Sequence, residues 1–193
     1  MTTTTATAPS LGDRYAQWTV ALLAVLALLA GWMLKAGVEN RSVGFEADGV
    51  SAQAPAGWLR MAGGETELLH AANPASDGFG TTYVIDTVPV PANATGGDVA
   101  SLLSLSRGQA LTGFRVLDQF EVTVDGRAAY RMSFAYVETH PDATHDELPS
   151  VVQGIDFIFL DGSRAVVVTY MADESAYEAD YGRFRRFLSS VKF

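Results

Sequence analysis

The hydrophobic residues of this chain form one uninterrupted run near its start and short alternating runs thereafter. The first run, Tyr15–Leu34, reads YAQWTVALLAVLALLAGWML and holds no charged residue. At a rise of about 1.5 Å per residue, such a helix covers roughly the 30 Å hydrocarbon core of a bilayer. We therefore predict one transmembrane helix over residues 15–36, with Tyr15, Trp18 and Trp32 at the level of the lipid headgroups.

The segments that flank this helix are polar. Residues 1–14 are rich in threonine and cannot bury apolar area, so we predict a flexible tail; residues 37–42 are predicted to be a linker. A cleaved signal peptide is the alternative to a retained helix. The bulky Trp32-Met33-Leu34 stands where cleavage would require small residues, which favours retention.

After residue 42, apolar and polar residues alternate with the period of two that half-buried strands show. Three Asp-Gly pairs, beginning at Asp48, Asp125 and Asp161, predict two-residue hairpin turns. Ala165–Val168 is apolar on both faces, which predicts a central strand covered on both sides. The strands predicted after the first hairpin are Glu67–Ala71, Thr81–Val88, Phe114–Val124, Ala128–Val137, Val151–Leu160 and Arg164–Met171.

Two further stretches have the period of a helix. Asp98 can cap a helix over Val99–Leu111. A second helix is predicted from about Asp173 to Ser189, with Asp173 or Ser175 as its N-cap. Its core-facing stripe is Tyr177, Tyr181, Phe184 and Leu188. Together the elements predict an α+β fold: a central antiparallel sheet of about six to eight strands between helices, an α/β/α sandwich, in a single domain over residues 43–193.

Composition excludes several classes of function. Arg14, Lys35 and Asp13 belong to the anchor, so the remaining chain holds 11 of the 13 basic and 21 of the 22 acidic residues, a net charge of −10. This charge disfavours nucleic acid and anionic lipid as partners. The absence of cysteine excludes disulfides, thiolate metal sites and thiol nucleophiles. No Gly-x-Ser-x-Gly elbow is present, and we expect no catalytic activity.

Three local motifs resemble those of the PsbP-like and DcrB-like family, named in part for the extrinsic protein PsbP of photosystem II. Phe45–Val50 followed by Pro55–Trp58 resembles the opening hairpin of that family, Val124–Tyr130 its central hairpin, and Phe184–Phe193 its closing helix. The resemblance covers most of residues 43–193 and also extends to a eukaryotic Ran-binding protein. The family's lipobox cysteine and twin-arginine leader have no counterpart in the residues given, and we expect a membrane-spanning anchor in place of both.

The resemblance implies a non-catalytic accessory or scaffold role. We expect a membrane-anchored subunit that binds or stabilises an integral membrane protein complex, of photosynthetic or respiratory type, on the extracytoplasmic side. Arg14 and the terminal amine nearly balance Lys35 and Arg41 under the positive-inside rule. Partly on the resemblance, we predict a cytoplasmic N-terminus and an extracytoplasmic domain.

Two features are candidate contacts with that partner. Ala27 and Gly31 have the small-xxx-small spacing that lets membrane helices approach closely, although alanine is common in such helices. Arg183, Arg185 and Arg186 form a basic cluster that is either a docking patch or a complement to the negative end of the helix dipole.

The alternative function is a surface-anchored protein that binds a small molecule or metal through the loop at residues 138–147. Imidazole and carboxylate groups suit zinc, manganese or copper. The candidate ligands are His140, Asp142, His145, Asp146 and Glu147; a long charged hairpin loop has the same composition without binding metal. No other cofactor is expected. His70 is predicted to be a structural histidine, and Thr95–Asp98 a turn into a helix rather than a phosphate loop.

Overall fold

The computed structural model describes residues 11–39, 41–61, 64, 66–75, 79–139 and 149–193. The chain divides into two compact units, with the boundary between Arg41 and Ser42. The first unit contains helix α1 (Leu11–Glu39), in which every side chain from Trp18 to Leu34 is exposed. In the parts of the chain so described, no helix is long and apolar enough to span a membrane.

Helix α1 extends beyond the apolar run at both ends. It begins at Leu11, inside the segment predicted as a tail, and ends at Glu39, inside the predicted linker. Neither extension contains a proline that would stop the helix, so helical hydrogen bonding continues past the last apolar residue.

The second unit, Ser42–Phe193, confirms the α+β prediction. Its seven-stranded sheet is antiparallel throughout and has the strand order β3-β4-β5-β9-β8-β7-β6, while β1 and β2 form a separate hairpin. The elements are β1 (Ser42–Ala47), β2 (Val50–Pro55), β3 (Leu59–Arg60), β4 (Glu67–Ala72), β5 (Thr82–Pro89), α2 (Gly96–Ala110), β6 (Arg115–Val124), β7 (Arg127–Glu138), β8 (Ser150–Asp161), β9 (Arg164–Asp173) and α3 (Glu174–Ser190).

The two helices described in this unit cover opposite faces of the sheet. Successive side chains of a strand point to opposite faces, so β9 sends Val166 and Val168 toward α3 but Ala165 and Val167 toward α2. All four side chains are fully buried, which confirms β9 as a central strand. Helix α3 contributes Phe184, Phe187 and Leu188 to its core, and α2 contributes Val99 and Ala100 to the other.

Two predictions of local geometry were wrong by a few residues. Thr95, not Asp98, caps α2: the Thr95 hydroxyl accepts the Asp98 N–H at 3.2 Å, and the Asp98 carboxylate accepts the Thr95 N–H at 2.8 Å. This reciprocal capping box starts the helix one turn earlier. The third hairpin turn is Gly162-Ser163 rather than Asp161-Gly162, because Asp161 pairs with Arg164 in the ladder.

The other turn and cap predictions are confirmed. Both residues of Asp48-Gly49 and of Asp125-Gly126 have positive φ, as a two-residue hairpin requires. Asp173 caps α3 by accepting the Ser175 N–H at 2.9 Å.

Candidate functional site

A groove of about 600 Å3 lies between α3 and the outer strands β6 and β7. Alternation along β6 turns Val122 and Val124 toward α3, whose own stripe presents Tyr177 and Tyr181. Phe157 of β8 also lines the groove. The groove therefore has apolar side chains on its sheet side and one aromatic wall, and its lining also includes Thr123, Asp125, Glu178 and Ser189.

The aromatic wall is held in place by stacking and by one hydrogen bond. The rings of Tyr177 and Tyr181 stack with their centroids 6.0 Å apart, and the buried Tyr170 hydroxyl donates to the Tyr177 carbonyl at 2.7 Å. Burial raises the pKa of Tyr177 to about 12, so its phenol is uncharged at neutral pH. Tyr177 consequently presents a neutral ring to the groove.

Two arginines line the same groove. Arg131 of β7 donates from Nη2 to the Ser133 hydroxyl at 3.0 Å, lies 3.8 Å from a carboxylate oxygen of Asp118, and stacks over the Phe120 ring at 5.0 Å. Its Nε is buried and has no hydrogen-bond acceptor among the described residues. Arg185 of α3 is exposed, and no ion pair joins it to any residue that the structure describes. Exposed Arg185 can therefore donate hydrogen bonds to a partner, whereas the Nε of Arg131 is enclosed by the protein.

A second cavity, of about 580 Å3, lies on the other face of the same strands. It is lined by Tyr130 and Ile158 on the sheet and by Gly96 at the start of α2. Val122 and Thr123 of β6 border both cavities. The outer part of the sheet therefore extends beyond both covering helices and is open on its two faces.

A buried ion pair lies beneath α2, away from these cavities. Arg107 makes a bidentate ion pair with the fully buried carboxylate of Asp156. Its Nη1 pairs with Oδ2, and its Nη2 lies 3.0 Å from Oδ1. The Thr169 hydroxyl donates to the same Oδ1 at 2.7 Å, and the guanidinium lies 4.4 Å above the Phe134 ring. The carboxylate is fully satisfied within the protein, so this pair fixes α2 to the sheet rather than binding a ligand.

Next to that pair, β4 and β5 place two carboxyl groups opposite each other. Glu67 faces Asp86 across the ladder, and burial followed by the charge of Glu67 raises the pKa of Asp86 to about 6. His70 Nδ1 lies 2.6 Å from Glu67 Oε1. Within the described part of the chain, no group of three or more His, Asp or Glu side chains is arranged to hold a metal ion.

The arginine cluster of α3 is divided by its contacts. Arg183 lies 4.0 Å from Asp180, and Arg186 donates to the Gly182 carbonyl at 3.3 Å, so both have partners on their own helix. Only Arg185 of the three lines the groove.

The other predicted site residues lie elsewhere. Ala27 and Gly31 are exposed on α1, and a Cβ added to Gly31 would meet no atom within 4 Å. The candidate metal ligands His140, Asp142, His145, Asp146 and Glu147 lie outside the described residues. They stay predictions.

Sequence reasoning missed Arg131 and the exposed part of β6. Arg131 lies on the face of β7 opposite its predicted apolar stripe, and the β6 sequence RVLDQFEVTV places charges between its apolar residues. Charged residues along a long predicted strand are typical of a sheet edge, and that signal was available in the sequence.

Comparison with known proteins shows the fold and no closer relationship. No family model matches the chain, and no curated protein matches it in sequence. The solution structure of cyanobacterial PsbP (CyanoP) from Synechocystis sp. matches with a TM-score of 0.57 at 12% identity, over 81% of this chain and 95% of that one. This similarity confirms the PsbP-like fold expected from the hairpin motifs.

Two further structures match less well. A crystal structure from Bacteroides thetaiotaomicron has a TM-score of 0.49 at 13% identity, over 79% of this chain and 48% of that one, so this chain spans about half its length. The Saccharomyces cerevisiae Ran-binding protein Mog1p has a TM-score of 0.48 at 10% identity, over 78% of this chain and 95% of that one.

Proposed function

We propose that this chain is a membrane-anchored, non-catalytic accessory subunit. Its PsbP-like domain binds or stabilises an integral membrane protein complex, of photosynthetic or respiratory type, on the extracytoplasmic side. The observation that carries the proposal is the combination of this fold with the uncharged run Tyr15–Leu34 in one chain. The same run lies within a continuous helix of 29 residues, and its described side chains from Trp18 to Leu34 are all exposed.

The anchor supports the proposal on physical grounds. Exposed side chains such as Leu22, Leu26 and Trp32 are unfavourable in water, and a bilayer removes that cost. A membrane tether also confines the domain near a membrane complex. Confinement raises its effective concentration, so a weak contact suffices for stable association.

The domain supports a docking role. Its groove is lined by apolar and aromatic side chains, by Asp125 and Glu178, and by the exposed donor Arg185. Its buried ion pair, Arg107 with Asp156, is closed to ligands and satisfied internally. The groove therefore fits binding of a protein surface better than catalysis.

Extraction of the full chain from native membranes in mild detergent tests this function. We expect it to migrate with integral membrane proteins, well above its own mass of 20.6 kDa. A matched control carries Arg at Leu22 and Leu26, which disfavours membrane insertion and should move the chain out of the membrane fraction. A wild-type chain that always runs alone as a monomer would contradict the proposal.

Protease treatment of intact cells tests the orientation. The proposed topology predicts that residues 43–193 are digested while the N-terminal tail is protected. Protection of the domain would reverse the orientation and would leave the accessory role to be judged by the extraction experiment.

A further inference from the structure

Strand β6 forms one end of the seven-stranded sheet, and no described strand lies beyond it. The two-residue turn Asp125-Gly126 makes Val124 and Arg127 a hydrogen-bonded pair, because that is the pair such a turn closes. From that pair, hydrogen-bonded and non-hydrogen-bonded residue pairs alternate along the antiparallel ladder. The backbone N–H and C=O groups of Gln119, Glu121 and Thr123 therefore point away from β7, toward open solvent.

The two ends of the sheet are protected to different degrees. The opposite end is β3, which has only two residues and offers little backbone for pairing. Strand β6 has ten residues, and Phe120 in its middle is 44% exposed. The register shifts between Val116 and Asp118, a bulge that interrupts any added strand at Leu117. The accessible edge is consequently residues 118–124.

Charge disfavours a second copy of this chain as the occupant of the whole edge. A twofold-symmetric antiparallel pairing that uses all of residues 118–124 is centred on Glu121. It places the two Glu121 side chains directly opposite each other, which is destabilising. Each domain also carries a net charge of −10, so two copies repel each other.

The side chains of the edge define a different occupant. Glu121 lies opposite Tyr130 and points toward the α2 face, whereas Phe120 and Val122 point toward the α3 face and its groove. A residue paired with Glu121 places its own side chain beside that carboxylate. Its two neighbours in sequence then lie beside Phe120 and Val122.

We propose that residues 118–124 of β6 accept an extended segment of a partner protein as an added strand. The segment carries a basic residue opposite Glu121 and apolar residues on both sides of it, which pack toward the groove. Main-chain hydrogen bonds to Gln119, Glu121 and Thr123 hold the segment, and the alternating side chains select it. This inference rests on the proposed function, since it states the chemistry by which the membrane complex is recognised.

Two labelled synthetic peptides test the inference against the full chain in lipid nanodiscs. The first is acetyl-Thr-Val-Lys-Val-Thr-amide, and the second replaces its lysine with glutamate. We expect the lysine peptide to bind wild type at least tenfold more tightly in a fluorescence anisotropy titration. E121K should reverse this preference, because the charge opposite the central residue changes sign. An unchanged preference in E121K would overturn the assignment of the facing residue.

A pair of variants separates the backbone contact from the charge. E121A keeps the outward N–H and should bind both peptides about equally. E121P removes that N–H without removing a bond to β7, and should lose at least tenfold in affinity for both peptides relative to E121A. Binding by E121P equal to that of E121A would overturn strand addition.

Hydrogen exchange of the wild-type chain gives the same test without a substitution. The amides of Gln119, Glu121 and Thr123 should exchange at least tenfold more slowly with the lysine peptide bound, whereas equal rates would contradict the inference.

A wild-type dimer that pairs through β6 would also contradict the inference, because a second copy of the chain would then be the occupant. Co-purification of E121P with the membrane complex at wild-type yield would overturn strand addition and leave the accessory role intact. Absence of any co-purifying complex with wild type would overturn the accessory role itself.

Discussion

Strands β9 and β6 belong to one sheet and have ten residues each, yet their environments are opposite. In β9 the six consecutive residues Ala165–Tyr170 are buried, while in β6 the seven consecutive residues Arg115–Glu121 are exposed. The cause is position in the sheet: β9 is paired on both sides and covered on both faces. Strand β6 is paired on one side and projects past both helices.

The contrast assigns different roles to the two strands. A strand that is hydrogen-bonded on both sides and covered on both faces contributes to stability and has no exposed groups with which to bind a partner. An edge strand with free backbone groups contributes less to stability and can add a partner strand. Substitutions in the centre of the sheet should therefore change folding, and substitutions in β6 should change binding.

The largest effect is expected for Val167→Asp in β9. Val167 is fully buried, and an unpaired carboxylate there costs several kcal/mol, comparable to the whole stability of a domain. The variant should show no cooperative thermal unfolding. The matched control is Thr123→Asp on β6, which should unfold within about 1 kcal/mol of wild type. A cooperative Val167→Asp melt near the wild-type temperature would contradict the central position of β9.

The next largest effect is expected for Arg107→Ala. It leaves the fully buried Asp156 carboxylate without its cation, and removal of one partner from a buried pair costs about 3–5 kcal/mol. Chemical unfolding measures the change. The double variant R107M/D156L removes both charges and should be less destabilised than R107A. A double variant that is less stable than R107A would contradict the view that the unpaired Asp156 charge causes the loss.

Gly154→Ala should destabilise by about 1–3 kcal/mol, because overpacking of a dense core forces neighbours to move. A Cβ at residue 154 would lie 2.2 Å from Cζ of the fully buried Phe134 ring. Gly44→Ala on the β1 hairpin is the control, since its nearest neighbour is 3.9 Å away. In G154A/F134L the smaller leucine leaves room for the added methyl group, so part of the lost stability should return. Strictly additive effects of the two substitutions on the free energy of unfolding would contradict this steric account.

The smallest stability effect depends on pH. The raised pKa of Asp86, about 6, means that the folded state favours the protonated acid, so wild type loses stability as pH rises from about 4 to 6. Asp86→Asn should therefore gain about 1–2 kcal/mol at pH 8 and little at pH 4, after allowance for partial solvent screening. Hydrogen bonds from the Thr95 backbone and hydroxyl lower the pKa of Asp98 from its ordinary value of 3.8, so its contribution to stability is lost only as pH falls below that value. Asp98→Asn should therefore be destabilising at both pH 8 and pH 4, and less so toward pH 2. Unfolding titrations across this range would contradict the account if the two variants showed the same pH dependence.

The sequence predicted the centre of the sheet better than its edge, and the reason is physical. Burial on both faces leaves a local mark, the apolar run Ala165–Val168, and a two-residue turn leaves Asp125-Gly126. Edge status depends on which strands pair, and pairing joins residues far apart in sequence. The Arg107–Asp156 bond spans 49 residues and had no local signal at all.

The candidate site was predicted only in part for the same reason. The stripe Tyr177, Tyr181 and Phe184 followed from helical spacing, but its meeting with β6 and Arg131 depends on the tertiary fold. The cap of α2 was misplaced because Thr95 and Asp98 are both good cap residues, and the three-residue reach of the capping box decided between them.

The most direct test of the whole account compares binding of the membrane complex by three forms of the chain. Deletion of residues 1–36 leaves the compact unit from Ser42 to Phe193 and should weaken binding by about a hundredfold or more, because the tether no longer supplies local concentration. An unrelated membrane span attached to the same domain should restore most of that binding. Recovery only with the native span would mean that α1, through a face such as Ala27 and Gly31, makes the specific contact. Full binding by the untethered domain would contradict the proposed division of labour between anchor and domain.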